Sequence, residues 1–143
     1  MCPILDDDLT KQHEKYITDV IYGGRPVFIR FFPAVIKSFY MKLLDPKADI
    51  PRADCFDLLM PDSVGEIIGG SMREWRHDVL MEQMKQKGLS TESLPFYTDL
   101  RKWGSCPHGG AGLGFDRLIM LISGIPSVRD SVPYPRAYEV CYS

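Results

Sequence analysis

None of the four cysteines, Cys2, Cys55, Cys106 and Cys141, stands in a Cys-x-x-Cys pair, so zinc and thioredoxin-like sites are not indicated and reduced, structural thiols are expected. No apolar run approaches the roughly 20 residues that cross a bilayer. Met1-Cys2-Pro3 leads into Asp6-Asp7-Asp8 and not into a basic, then apolar, leader, so a soluble cytoplasmic chain is expected. An excess of basic charge is also lacking. The 17 Lys and Arg are outnumbered by 19 Asp and Glu, and a formal charge of −2 leaves no footprint for wide, nonspecific nucleic-acid binding. There is no Ser/His/Asp pattern, metal-ligand cluster, internal repeat or low-complexity linker. What remains is 143 residues with 45% hydrophobic and 25% charged content, enough for one domain with a buried core.

Helical spacing of Tyr16, Ile17, Val20 and Ile21 predicts a helix over Asp8–Tyr22, stopped by Gly23-Gly24 and Pro26. Val27–Phe32 and Phe39–Leu44 read as strands, and Leu44–Arg52 as an exposed turn. A second pair of strands, Cys55–Met60 and Val64–Met72, flanks Pro61-Asp62. Helices are expected over Trp75–Lys87, closed by Gly88, and Ser93–Trp103, closed by Gly104. Phe115–Ser123 is apolar almost all round, which predicts a helix buried on every side and ended by Gly124 and Pro126. Strands that precede helices, instead of alternating with them, point to an α+β fold with an antiparallel sheet flanked by helices.

Two groups of residues carry possible chemistry. In Val64–Arg73, Glu66 and Arg73 are seven apart and fall on opposite faces of a regular strand; a bulge at Gly69-Gly70 would bring Glu66, Ser71 and Arg73 to one side. The plainer reading is a pair of charges matched across a sheet. Gly110, Gly112 and Gly114 alternate before Arg117, stripping one strand face so that a ligand, or simply a packed helix, approaches the backbone. An arginine entering an apolar helix requires a carboxylate, a phosphate or a ring. His108 is a loop residue able to gate a pocket or merely to be solvated, and Tyr40 is a phenol near a strand or a core aromatic.

Ile36–Met41, Val64–Arg73, residues 97–110, Gly112–Arg117 and Val128–Arg136 together resemble the catalytic domain of class II aminoacyl-tRNA synthetases, from about Leu9 onward. Gly-Glu-Ile-Ile-Gly-Gly-Ser is closer to the asparaginyl branch than to the aspartyl one. The resemblance implies an antiparallel sheet that binds ATP, Mg²⁺ and asparagine, forms the asparaginyl-adenylate with release of pyrophosphate, and passes the amino acid to tRNA-Asn. It implies Glu66 as the acid for metal and ATP phosphates, and Arg117, in a third motif at about 109–136, on the adenine side and the γ-phosphate. Gly112 and Gly114 would leave room for the nucleotide. Arg73 would read the side-chain carbonyl, beside Tyr40 and with Ser71 as a weaker candidate, and His108 would lie near the aminoacyl pocket. It further implies that the match begins after the family's first two motifs and anticodon-binding domain, that the chain alone is inactive, and that the longer protein is a homodimer. The alternatives are a non-catalytic protein-binding or complementation module, or a paralogue making free asparagine.

Overall fold

The computed structural model describes residues 8–135. Helix α1 (Lys11–Lys15) begins at Thr10, whose hydroxyl accepts from the His13 N–H while the His13 ring accepts from the Thr10 N–H, each at 3.3 Å. It widens into a π-helical turn, Tyr16–Ile21, where buried Thr18 donates to the carbonyls of Glu14 and Lys15. Strand β1 (Val27–Arg30) follows. Strands β2 (Cys55–Met60) and β3 (Gly65–Met72) form a hairpin, then come α2 (His77–Gln86), α3 (Pro95–Lys102), β4 (Gly109–Leu113) and α4 (Phe115–Ser123). The four strands make one antiparallel sheet in the order β1-β2-β3-β4, as the α+β reading expects.

The β2–β3 turn holds both Asp62 (φ 58°) and Ser63 (φ 67°) in the left-handed region, followed by Gly65 (φ 71°). Positive φ at both central positions is the backbone that matches the twist of a tight hairpin.

One segment departs from expectation. Phe39–Leu44 forms no strand: Met41 bridges to Arg73 whereas Leu43 bridges to Ala53. The Lys42 N–H donates to Met72 and the Leu44 N–H to Arg52. The segment divides its hydrogen bonds between two neighbours, and no continuous ladder can form.

The chain divides into two compact units. The first comprises Arg30–Phe56 and Gly70–Ala111. Its core includes Ala53, Cys55, Leu80 and Met84, and α2 packs on α3. Burying Leu80 and Met84 contributes about 1.5–3 kcal/mol each. The second comprises Leu9–Ile29, Asp57–Gly69 and the described residues from Gly112 on, centred on Leu59, Val64, Ile67 and Met120. Here α4 corrects a second expectation, because only Met120 of this helix is buried while Phe115 is 66% and Ile122 77% exposed. An apolar sequence states what a helix prefers to cover, and the described residues cover one side of it. Cys55 is a buried cysteine and Cys106 an exposed one; Cys2, Cys141 and Arg136 lie outside the described residues.

Candidate functional site

In the first unit, β3 ends by delivering Arg73 to Tyr40. The guanidinium lies 4.6 Å from the centre of the Tyr40 ring, and Nη2 donates to the Gly110 carbonyl at 3.4 Å. A Cβ on Gly110 would meet that guanidinium at 3.0 Å, so this glycine leaves room for the arginine. A hydrogen bond from Ser38, opposed by burial and helped by the bond and charge of Arg73, holds the Tyr40 phenol below its ordinary pKa. His108 sits opposite Arg73, its carbonyl accepting the Arg73 N–H at 2.9 Å. Its ring bonds within its own loop, Nδ1–H donating to the Cys106 carbonyl at 2.8 Å. Ser71 is buried with its hydroxyl unpartnered. The cluster presents a flat, ring-backed fork of N–H donors, suited to a planar carbonyl or carboxylate.

In the second unit, a cavity of about 240 Å³ is lined by Glu66, Gly69, Gly112, Gly114, Asp116 and Arg117, among others. Arg117 Nη1 donates to the backbone carbonyl of Glu66. Its partner is thus a peptide dipole, which fixes the stem and leaves the guanidinium charge unneutralised by that contact. Gly112 has open space where a side chain would be, while Gly114 faces the Ile67 carbonyl and the Arg117 stem.

Gly69 is the decisive position in this cavity. A Cβ there would fall 2.5 Å from Glu66 Oε1 and 3.5 Å from Asp57 Oδ1. Both carboxylates therefore converge over one backbone position that carries no side chain. The Glu66 carboxylate reaches the Gly69 side of β3, so the parity that separates residues 66 and 69 on a regular strand is overcome here. Two hard oxygen donors together, with an arginine nearby, suit a divalent cation carrying phosphates. Among the described residues no group of three or more possible ligands forms, so such an ion would need oxygens from elsewhere.

Asp57 is the residue that sequence reasoning missed. The signal was present: reading the hairpin across its Pro61–Val64 turn carries Asp57 on β2 to the neighbourhood of Gly69 on β3. Ser38 was missed as well, since nothing in Ile36–Met41 distinguishes its hydroxyl from a solvated one.

A family model described as "tRNA synthetases class II (D, K and N)" matches residues 4–138. The chain belongs to this family. It is 50% identical over 129 residues to an asparagine–tRNA ligase of Geotalea uraniireducens, covering 90% of this chain and 27% of that protein. Against the chloroplastic/mitochondrial asparagine–tRNA ligase of Arabidopsis thaliana it is 47% identical, with 90% and 22% covered. Among solved structures, asparaginyl-tRNA synthetase of Entamoeba histolytica in complex with asparaginyl-adenylate superposes with a TM-score of 0.85 at 44% identity, over 96% of this chain and 30% of that one. Aspartyl-tRNA synthetase from the same organism gives 0.78 at 29% identity, over 92% and 27%. The chain spans less than a third of the length of these relatives.

Proposed function

We propose that this chain is part of an asparagine–tRNA ligase, supplying residues that hold asparagine and Mg²⁺·ATP. The observation that carries the reading is the cavity at Gly69, lined by Glu66 and Arg117, with the Asp57 carboxylate converging on the same glycine. Asp57 and Glu66 would hold Mg²⁺, which when bound neutralises phosphate charge. Arg117, anchored on the Glu66 carbonyl, would lie on the adenine side and pair with the γ-phosphate, and the bare backbone at Gly112 and Gly114 would admit the nucleotide.

Arg73, stacked on Tyr40, would donate to the side-chain carbonyl of asparagine, with Ser71 and His108 lining its approach. The asparagine carboxylate oxygen then bonds to the α-phosphorus as the bond to the β-phosphate oxygen breaks and pyrophosphate leaves. A hydroxyl of the tRNA 3′ end subsequently attacks the acyl carbon, and AMP leaves. Neither step uses a protein nucleophile; positioning and charge stabilisation suffice. Support for asparagine over aspartate comes from the higher identity to the asparaginyl relatives. With tRNA-Asn as acceptor, we extend the proposal to a cytoplasmic homodimer.

Equilibrium binding of asparagine and of aspartate tests this. The proposal expects asparagine to bind at least 10-fold more tightly, and tighter aspartate binding would overturn it.

A further inference from the structure

A buried cation lies behind the Tyr40–Arg73 pair, and the proposed reaction does not use it. Arg101, on α3, is 7% exposed, while Phe96 and Leu100 of the same helix and Trp103 just after it are each more than half exposed. Its guanidinium donates through Nη2 to the Tyr97 hydroxyl at 2.9 Å, through Nη1 to the Tyr97 carbonyl at 3.2 Å and through Nε to the Glu74 carbonyl at 3.4 Å. It also lies 4.0 Å from the centre of the Tyr97 ring. These partners are two carbonyls, a hydroxyl and a ring, none of them a carboxylate. A buried charge held by neutral groups depends on all of them, so the geometry around Arg101 is tightly specified.

Both anchors lead to the candidate site. Glu74 follows Arg73 directly, and its N–H donates to the Tyr40 carbonyl at 2.8 Å, so the Glu74 peptide ties Tyr40 to the chain that carries Arg73. The Glu74 side chain is itself immobilised, fully buried and gripped by Arg76 through Nε and Nη2 at 2.9 Å each. Tyr97 sets its ring edge-on to Tyr40 and Phe39, at 6.5 and 6.0 Å between centres. One route from Arg101 to the pair runs through backbone, the other through edge-on rings.

We propose that Arg101 is a positioning residue, which through the Glu74 carbonyl and the Tyr97 side chain fixes the Tyr40–Arg73 stack in the orientation that receives the amino-acid side chain. The identity of that ligand rests on the function proposed above; the positioning itself does not. At metal sites, the partners that orient a ligating side chain typically cost 10–100-fold in affinity when removed, without touching the metal, and an effect of that order is expected here.

The test compares Arg101→Met, Arg101→Lys and Tyr97→Phe with the unaltered chain. It reads the ring-current shift of the Arg73 Hδ protons by NMR, which reports the stack without any ligand, and the dissociation constant of asparagine. In folded Arg101→Met the shift should fall by about half or more and asparagine should bind at least 10-fold more weakly. Arg101→Lys should recover little, because an ammonium cannot serve three acceptors in the geometry of a planar fork. Tyr97→Phe, which removes one hydroxyl, should fall between, and it keeps the question answerable if Arg101→Met does not fold. An unchanged Arg73 shift in folded Arg101→Met, or in Tyr97→Phe where that is the folded variant, overturns the inference. If the shift moves but the unaltered chain binds no asparagine, the positioning role stands and the proposed function is what fails.

Discussion

A single methyl group at residue 69 separates two carboxylates from the space they share. Gly69→Ala places a carbon 2.5 Å from Glu66 Oε1, and the carboxylate must leave its place over Gly69. Such overpacking costs about 1–3 kcal/mol of stability where the neighbour cannot yield. Since the end of a glutamate side chain can move, the expected outcome is a small stability loss and at least a 10-fold rise in the Mg²⁺·ATP dissociation constant by calorimetry. Unchanged nucleotide binding would separate the two carboxylates from the nucleotide. Arg73 makes a matching prediction in the first unit. Its hydrogen bond and charge reinforce the effect of Ser38 in lowering the Tyr40 pKa, so Arg73→Met should move the phenol titration upward, part of the way to the ordinary tyrosine value. A ¹³C titration of the Tyr40 ring checks the direction, and a downward move would contradict the stack. Glu66, Arg73 and Arg117 were legible in the sequence because charged residues in apolar runs need partners. Asp57 is harder to pick out, because only the register read across the Pro61–Val64 turn carries it toward Gly69.

At the scale of elements, the β2–β3 hairpin uses a backbone that its residues fit poorly. Ser63 at φ 67° pays for a left-handed conformation that glycine adopts freely. Ser63→Gly should raise stability by up to about 1 kcal/mol, whereas Ser63→Val should lower it by about 1–2 kcal/mol. Urea unfolding of the two variants checks the signs, and a loss in the glycine variant would mean that the turn is not strained. The β3–α2 junction rests on Glu74 and Arg76. Burial pushes the Glu74 carboxyl up, but the hydrogen bonds and charge of Arg76 outweigh it and hold its pKa below the ordinary value. A depressed folded pKa stabilises above the unfolded pKa, and that contribution disappears as pH falls through the folded one. Arg76→Met should therefore cost about 2 kcal/mol at neutral pH, below the 3–5 kcal/mol of a fully buried pair because Arg76 is partly exposed. The loss relative to the unaltered chain should shrink below about pH 4. An equal loss at pH 3 and pH 7 would contradict this. Helices α2 and α3 were legible because Gly88 and Gly104 close apolar stripes of helical period. Phe39–Leu44 was not, because its composition fits a strand while its hydrogen bonds are claimed by two different neighbours.

At the scale of the molecule, the chain carries the family's fold at TM-scores of 0.85–0.88 over nearly its full length, while matching about 30–33% of each asparaginyl-tRNA synthetase structure. The apolar surface of α4 reads differently in that light. Its sequence expects cover on all sides, which is a demand that the described residues meet on one. Sequence therefore conveyed the α+β class with its antiparallel sheet, but could not convey which apolar faces stay open, since hydrophobicity records a preference and not its fulfilment. Central to all of this is the proposal that these residues hold asparagine and Mg²⁺·ATP for adenylate formation. Calorimetric titration of the folded chain with a non-hydrolysable asparaginyl-adenylate analogue and Mg²⁺ addresses it most directly, with Arg117→Ala and Arg73→Ala alongside. Saturable binding that each substitution weakens by at least 10-fold is expected. Absence of binding by the folded chain, or binding that both variants retain in full, would contradict it.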